Sequence, residues 1–270
     1  MTCPGSLLRP LKSLFTAALF AGALFSGVAG AAAGDGTVVL SQPAAAGPGL
    51  ATFPRIEAAG GSNATPAAIE RINAALDKAD ARLRTAAADC RAEAGTGDGA
   101  GWQRTVEVAT AGPDYLAVVA RDDLFCGGAH PTTGTFALAF DLTTGSPLNW
   151  ARLLPAALAG TASLDSAPDG TRLGVLTGPA LTRAYLAGYG AAAKPVLDAG
   201  TIAACREGAF DPPVSFVLWP SARPAGLAIV PENLPHVVAA CAVPVVLSPK
   251  TLAGLGVSPA FATRLSQARP

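Results

Sequence analysis

Four cysteines constrain this chain more than any other feature: Cys90, Cys126, Cys205 and Cys241. In an exported chain an even set of cysteines reads as a disulfide framework, because the compartment oxidises thiols. Four cysteines allow three connectivities. The spacing favours the sequential one, since 36 positions separate Cys90 from Cys126 and 36 separate Cys205 from Cys241. Closing loops of that size would stabilise a fold by roughly 4 kcal/mol each on chain-entropy grounds. The alternative is a four-cysteine zinc site, but the sequence has no C-x-x-C pair and export disfavours it. Arg91 and Arg206 each follow the first cysteine of a pair, a trace of duplication that the rest of the two loops does not extend.

The N-terminus reads as an export signal in three parts. Arg9 and Lys12 give a positive start, Leu14 to Val28 is apolar, and Ala29-Gly30-Ala31 or Ala31-Ala32-Ala33 offers a small-residue cleavage site. The apolar stretch is about 15 residues, short of the roughly 20 that span a bilayer. Residues 1–33 are therefore expected to be a signal peptide, with a retained anchor as the alternative. Cys3 precedes the apolar run, so it is not placed as a lipoprotein cysteine. No second long apolar run follows, so no stable membrane span is expected after cleavage, and the location is periplasmic or secreted. The full chain has net charge zero and is only 14% charged, which argues against a nucleic-acid partner.

After a flexible N-terminal segment, 34–54, residues 55–270 read as one α+β domain. Thr65-Pro66 is a helix start, with Thr as cap and Pro in the first turn. Ile69, Ile72, Leu76, Ala79, Leu83, Ala87 and Cys90 then recur every three or four residues, the stripe of one long amphipathic helix. Trp102, Arg104, Val106 and Val108 alternate with polar residues, as in a half-buried strand. Tyr115 to Phe125 and Thr135 to Asp141 complete an antiparallel meander. In the second half, Pro179 to Gly188 reads as a short helix, Val214 to Trp219 with Gly226 to Val230 as a hairpin, and Val237 to Leu247 as an edge strand broken by Pro244. A further short helix falls within Thr251 to Leu265. Strands grouped with a few helices, without strict alternation, give antiparallel sheets of the α+β class.

The chemistry-bearing candidate is the loop Cys126-Gly127-Gly128-Ala129-His130-Pro131. Its glycines permit close backbone approach, a disulfide would hold one end, and Pro131 stiffens the other. His130 is thereby presented from a rigid loop, either to shape it, to touch a ligand, or to act as a base with Asp122, Asp123 or Asp141 as orienter. No G-x-S-x-G elbow accompanies it. The two histidines, His130 and His236, lack metal-site spacing, so neither a metal nor a cofactor is expected. His236 reads as a partly buried, hydrogen-bonded residue. Trp102, Trp150 and Trp219 read as core or rim, with a sugar-stacking platform as the alternative. Asp122 and Asp123 point to opposite faces of one strand and make a poor acid–base pair.

The order of these motifs resembles the extracytoplasmic domain of RsiV-type lysozyme-sensing anti-sigma factors, which also accompanies the catalytic domain of PdaC-type peptidoglycan deacetylases. The resemblance rests on Leu116 to Leu124, then Gly127-Gly128-Ala129-His130-Pro131, then Phe136 to Asp141, Thr144-Gly145 and Leu148 to Leu154. It implies a non-catalytic recognition module. Its expected partner is an envelope protein, a lysozyme-type hydrolase or a glycan, with Gly127, Gly128, His130 and Pro131 as the expected binding residues. The alternatives are a cell-wall-directed hydrolase using His130 and a purely structural envelope protein.

Overall fold

A computed structural model describes residues 36–94, 101–127, 130–210, 214–232 and 234–270. The export segment read over residues 1–33 and the loop residues Gly128 and Ala129 lie outside them. In chain order the elements are β1 (Val39–Ser41), β2 (Arg55–Ala58), α1 (Pro66–Ala94), β3 (Gly101–Ala111), β4 (Tyr115–Phe125) and β5 (Thr132–Asp141). Then come α2 (Trp150–Leu153), α3 (Ala156–Ala159), β6 (Thr161–Ser166), β7 (Arg172–Thr177), α4 (Pro179–Ala193) and α5 (Ala199–Gly208). The chain continues through β8 (Ser215–Ala222), β9 (Ala225–Glu232), a 3-10 helix (His236–Cys241), β10 (Val245–Leu247), α6 (Pro249–Gly254) and α7 (Pro259–Ser266). The fold is α+β, with three antiparallel sheets ordered β1-β2, β3-β4-β5 and β10-β9-β8-β7-β6.

Helix α1 starts where a side chain can satisfy its orphan amide: Thr65 Oγ1 accepts from the Ala68 N–H at 3.1 Å. Its buried face comprises Ala68, Ile72, Leu76, Ala79, Leu83, Ala87 and Cys90, the stripe set by the three-and-four spacing. One polar residue shares that face. Asp80 is buried because it has work there, accepting from the Phe53 N–H at 3.1 Å and from Arg55 Nη2 at 2.6 Å. The segment before β2 is thereby tied to α1, and Leu50 and Phe53 are buried beneath it. The turn after β5 also rests on this helix. Gly145 has φ +71°, and a Cβ there would meet the Ala68 backbone at 2.7 Å, so no other residue fits without displacing the helix start.

Two disulfides close the framework, Cys90–Cys126 and Cys205–Cys241. They join α1 to the end of β4, and α5 to the end of the 3-10 helix. The stretch Val237 to Leu247 departs from a single edge strand. Its first part winds into the 3-10 helix, and only Val245–Leu247 pairs, as the outer strand against β9. Pro235 and Pro244 bracket the helical part and withhold the amide donors a longer strand would need. The sequence reading passed over the hairpin β6–β7. Its first strand is almost wholly exposed, so it lacks the alternation that marks a half-buried strand.

A buried ion cluster locks this hairpin to the meander. Arg104 is 2% exposed, and Asp122, its cross-strand partner, 1%. Arg104 Nε and Nη2 donate to the two Asp122 oxygens at 2.6 Å each, and Trp102 Nε1 donates to Asp122 Oδ1 at 2.9 Å. Arg104 Nη1 lies 2.9 Å from Asp169 Oδ2, in the turn between β6 and β7. This third contact is an ion pair whose angles fall short of a hydrogen bond. The guanidinium also lies over the Phe136 ring, 4.9 Å from its centroid. Burial works against the charge on Arg104, but the two carboxylates hold it above its ordinary pKa. Removing Asp122 leaves Arg104 Nε, Arg104 Nη2 and Trp102 Nε1 as buried donors without their acceptor. Asp122→Ala is expected to lower unfolding free energy by about 3–5 kcal/mol in urea titration, and an unchanged midpoint would contradict the assignment.

Candidate functional site

The loop after β4 is anchored at its start. Cys126 is bonded to Cys90 in the last turn of α1, and Gly127 adopts φ +92°, a left-handed conformation suited to glycine. His130 and Pro131 emerge exposed. The His130 ring stacks on His236, with centroids 4.8 Å apart and planes 6° from parallel. His236 is thus an exposed stacking partner and not the partly buried residue its apolar neighbours suggested. His130 stands four residues after Cys126, and His236 five before Cys241. The stack therefore joins two chain segments that are each anchored by a disulfide.

Next to these segments the surface opens into a cleft of about 240 Å³. One wall is the end of the β4–β5 hairpin, including Arg121, Asp123, Thr133 and Thr135. The opposite wall runs from the end of β9 into the 3-10 helix, with Pro231, Glu232, Leu234, Ala239 and Ala242. Pro168, in the β6–β7 turn, completes it. Register explains the polar wall: Arg121 pairs with Thr135 and Asp123 with Thr133, so the side chains of both pairs share one sheet face. Each wall is cross-linked to the rest of the fold. The Cys90–Cys126 disulfide holds the first, the Cys205–Cys241 disulfide the second, and the Asp169–Arg104 ion pair the third.

Glu232 is the unusual group in this cleft. Its Oε2 is sealed from solvent and has no hydrogen-bond partner among the described residues. Burial, reinforced by the charge of Asp165 on β6, pushes its pKa up to about 7 from 4.5. The folded protein thus holds a proton between pH 4.5 and about 7 that the unfolded chain has released. The stability this gives is complete below the lower value and is lost as pH rises through the upper one.

The carboxylates proposed to orient His130 are placed differently. Asp122 is committed to Arg104 and Trp102, and Asp141 lies at the far end of β5, where it accepts from the Thr144 N–H at 2.8 Å. Of the three, Asp123 alone faces the cleft as an exposed residue. Trp102, Trp150 and Trp219 are 7%, 6% and 4% exposed, so none forms an open sugar-stacking platform. Among the described residues no group of three or more His, Cys, Asp or Glu is placed to hold a metal ion. No described helix is long and apolar enough to cross a membrane.

No protein-family model matches the chain, and no curated protein is significantly similar to it. Sequence reasoning missed Glu232 and Arg104. Arg104 carried a signal, being in phase with Trp102, Val106 and Val108 on the inner face of β3. Glu232 carried none, because its burial comes from contacts distant in sequence. Glu232→Gln is expected to stabilise the protein by at most about 3 kcal/mol at about pH 8 and to add nothing at about pH 4. Denaturant titrations at the two pH values check this, and an equal effect at both would show that the carboxyl has no shifted titration.

Proposed function

We propose that this protein is an exported cell-envelope module, periplasmic or secreted, that binds a cell-wall glycan or a cell-wall-related protein without catalysing a reaction on it. The observation that carries the reading is the cleft whose three walls are each cross-linked to the core. Such a site has little conformational freedom to lose on binding, which is what pre-organisation contributes to affinity. The two disulfides fit an oxidising compartment outside the cytoplasm. The resemblance to the RsiV-type extracytoplasmic domain supports the same reading, since that domain recognises envelope components and leaves chemistry to other domains. The cleft volume suits one saccharide ring or one peptide side chain, so the ligand class is a cell-wall glycan, its attached peptide, or a hydrolase presenting such a group.

The hydrolase alternative built on His130 has less support. Two of its three possible orienting carboxylates are engaged elsewhere, and the imidazole is stacked against His236. Catalysis by a histidine needs an orienting partner and a substrate within hydrogen-bond reach.

Calorimetric titration of the native protein with soluble peptidoglycan fragments and with a lysozyme-type hydrolase tests the reading. At least one is expected to bind, and Ala239→Trp, which fills the cleft, is expected to weaken that binding about tenfold or more, roughly 1.4 kcal/mol, while the thermal midpoint holds. Absence of binding by both classes, or full affinity in the filled variant, would overturn it.

A further inference from the structure

We infer that the cleft recognises a primary ammonium group, seated between Glu232 and the β4–β5 wall carrying Asp123. This deepens the binding reading above and rests on it.

The lining presents acceptors. Asp123 and Glu232 contribute carboxyl groups, and Thr133 and Thr135 contribute hydroxyl oxygens. Arg121 is the single cation among the described lining residues, and its guanidinium is drawn to Glu107 on the neighbouring strand at 3.5 Å. Asp122 is paired with Arg104, which also pairs with Asp169, so that buried cluster of one cation and two carboxylates adds negative charge behind the wall. An ammonium group offers three donors and no acceptor, which matches this set. A phosphate or carboxylate ligand would face the two carboxyl groups without a matching excess of donors.

Glu232 supplies the reason such a ligand would be held. One of its oxygens is buried with no donor, and the residue as a whole is half-buried and lines the cleft. A carboxylate in that state is poorly solvated, and a neighbouring cation would restore what water no longer gives it. The charged groups placed near it come from two elements. Asp165 lies on β6, and Arg121, Asp122 and Asp123 line the cleft from β4. Asp165 and Asp123 both favour a cation, and Arg121, the one lining cation, is paired with Glu107 at 3.5 Å. Ammonium and proton therefore compete for the same carboxyl, so affinity should fall as the medium is acidified through neutrality.

Two sources bear such a group, a deacetylated amino sugar and a diamino acid of a wall peptide. Calorimetry on the intact, disulfide-bonded protein separates them with two matched pairs of probes: glucosamine trimer against N-acetylglucosamine trimer, and an N-terminally acetylated, lysine-containing tripeptide against its Nε-acetyl form. In at least one pair the ammonium-bearing member should bind about tenfold or more tightly than its acetylated twin. That preference should vanish in Glu232→Gln and, for the lysine pair, whose ammonium stays charged over the range, shrink between about pH 8 and about pH 6. Equal binding of both twins, a preference that survives Glu232→Gln, or turnover of a glycan with Glu232 as proton donor would each overturn the inference. Binding of an acetylated twin that is lost in Ala239→Trp would remove the ammonium assignment and leave the binding module intact. Silence from all four probes also ends the ammonium assignment, and the module then stands or falls on the peptidoglycan-fragment and hydrolase titrations.

Discussion

A guanidinium without access to water must be matched by carboxylates, and in this fold that requirement decides where the pieces go. Arg104 projects from β3 into the interior, where Asp122 answers two of its nitrogens and Asp169 a third. Asp122 comes from the adjacent strand, so local register supplies it. Asp169 comes from a turn more than sixty positions away in the chain, so the β6–β7 hairpin has to fold its tip over the meander. Pro168 reaches the cleft, and packs within 3.5 Å of where a Cβ on Gly134 would stand, because its neighbour Asp169 is held there. A hydrophobic substitute for the cluster could stabilise the core as well, but it would not specify the position of that turn in the same way.

Disulfides do the corresponding work for the other two walls. The end of β4 is bonded to the end of α1, and the 3-10 helix is bonded to α5. Between them His130 and His236 stack, so two separately anchored segments also touch each other. The outcome is a small polar cleft with one wall in the β4–β5 ladder and the other running from the end of β9 into the 3-10 helix. Loop segments beside such a cleft carry function when a rigid scaffold positions them. Here the scaffold is chiefly covalent and ionic at the points that matter. Glu232, at the end of β9, tolerates an unmatched oxygen because these surroundings fix it in place.

Much of the fold was legible in the sequence wherever a local period reports burial. Thr65-Pro66 marks the start of α1, the stripe from Ile69 to Cys90 marks its inner face to within four residues of its end at Ala94, and the alternation in β3 to β5 defines the meander. Equal spacing of the cysteines led to the disulfide pairing that forms. What stayed hidden depends on partners far along the chain. The strand Thr161–Ser166 is exposed and shows no alternation, so it looks like loop. Val237 and Val238 suggest a strand, yet flanking prolines and the reach of Cys241 to Cys205 favour a tight helical turn. The candidate loop was read from its glycines and His130, but the cleft beside it owes its acid to Glu232, whose setting no short window contains.

Hydrogen exchange of the intact protein, before and after reduction of the disulfides, tests most directly whether cross-links hold the cleft. With the bonds present, amides of Thr133 to Phe136 and of the 3-10 helix should be protected. On reduction, exchange in these two segments should accelerate at least tenfold while the paired centre of β3 and β4 stays slow, an opening of roughly 1.4 kcal/mol or more. Unchanged exchange in both segments, or four cysteines that titrate as free thiols in the native protein, would contradict a cleft built on those bonds.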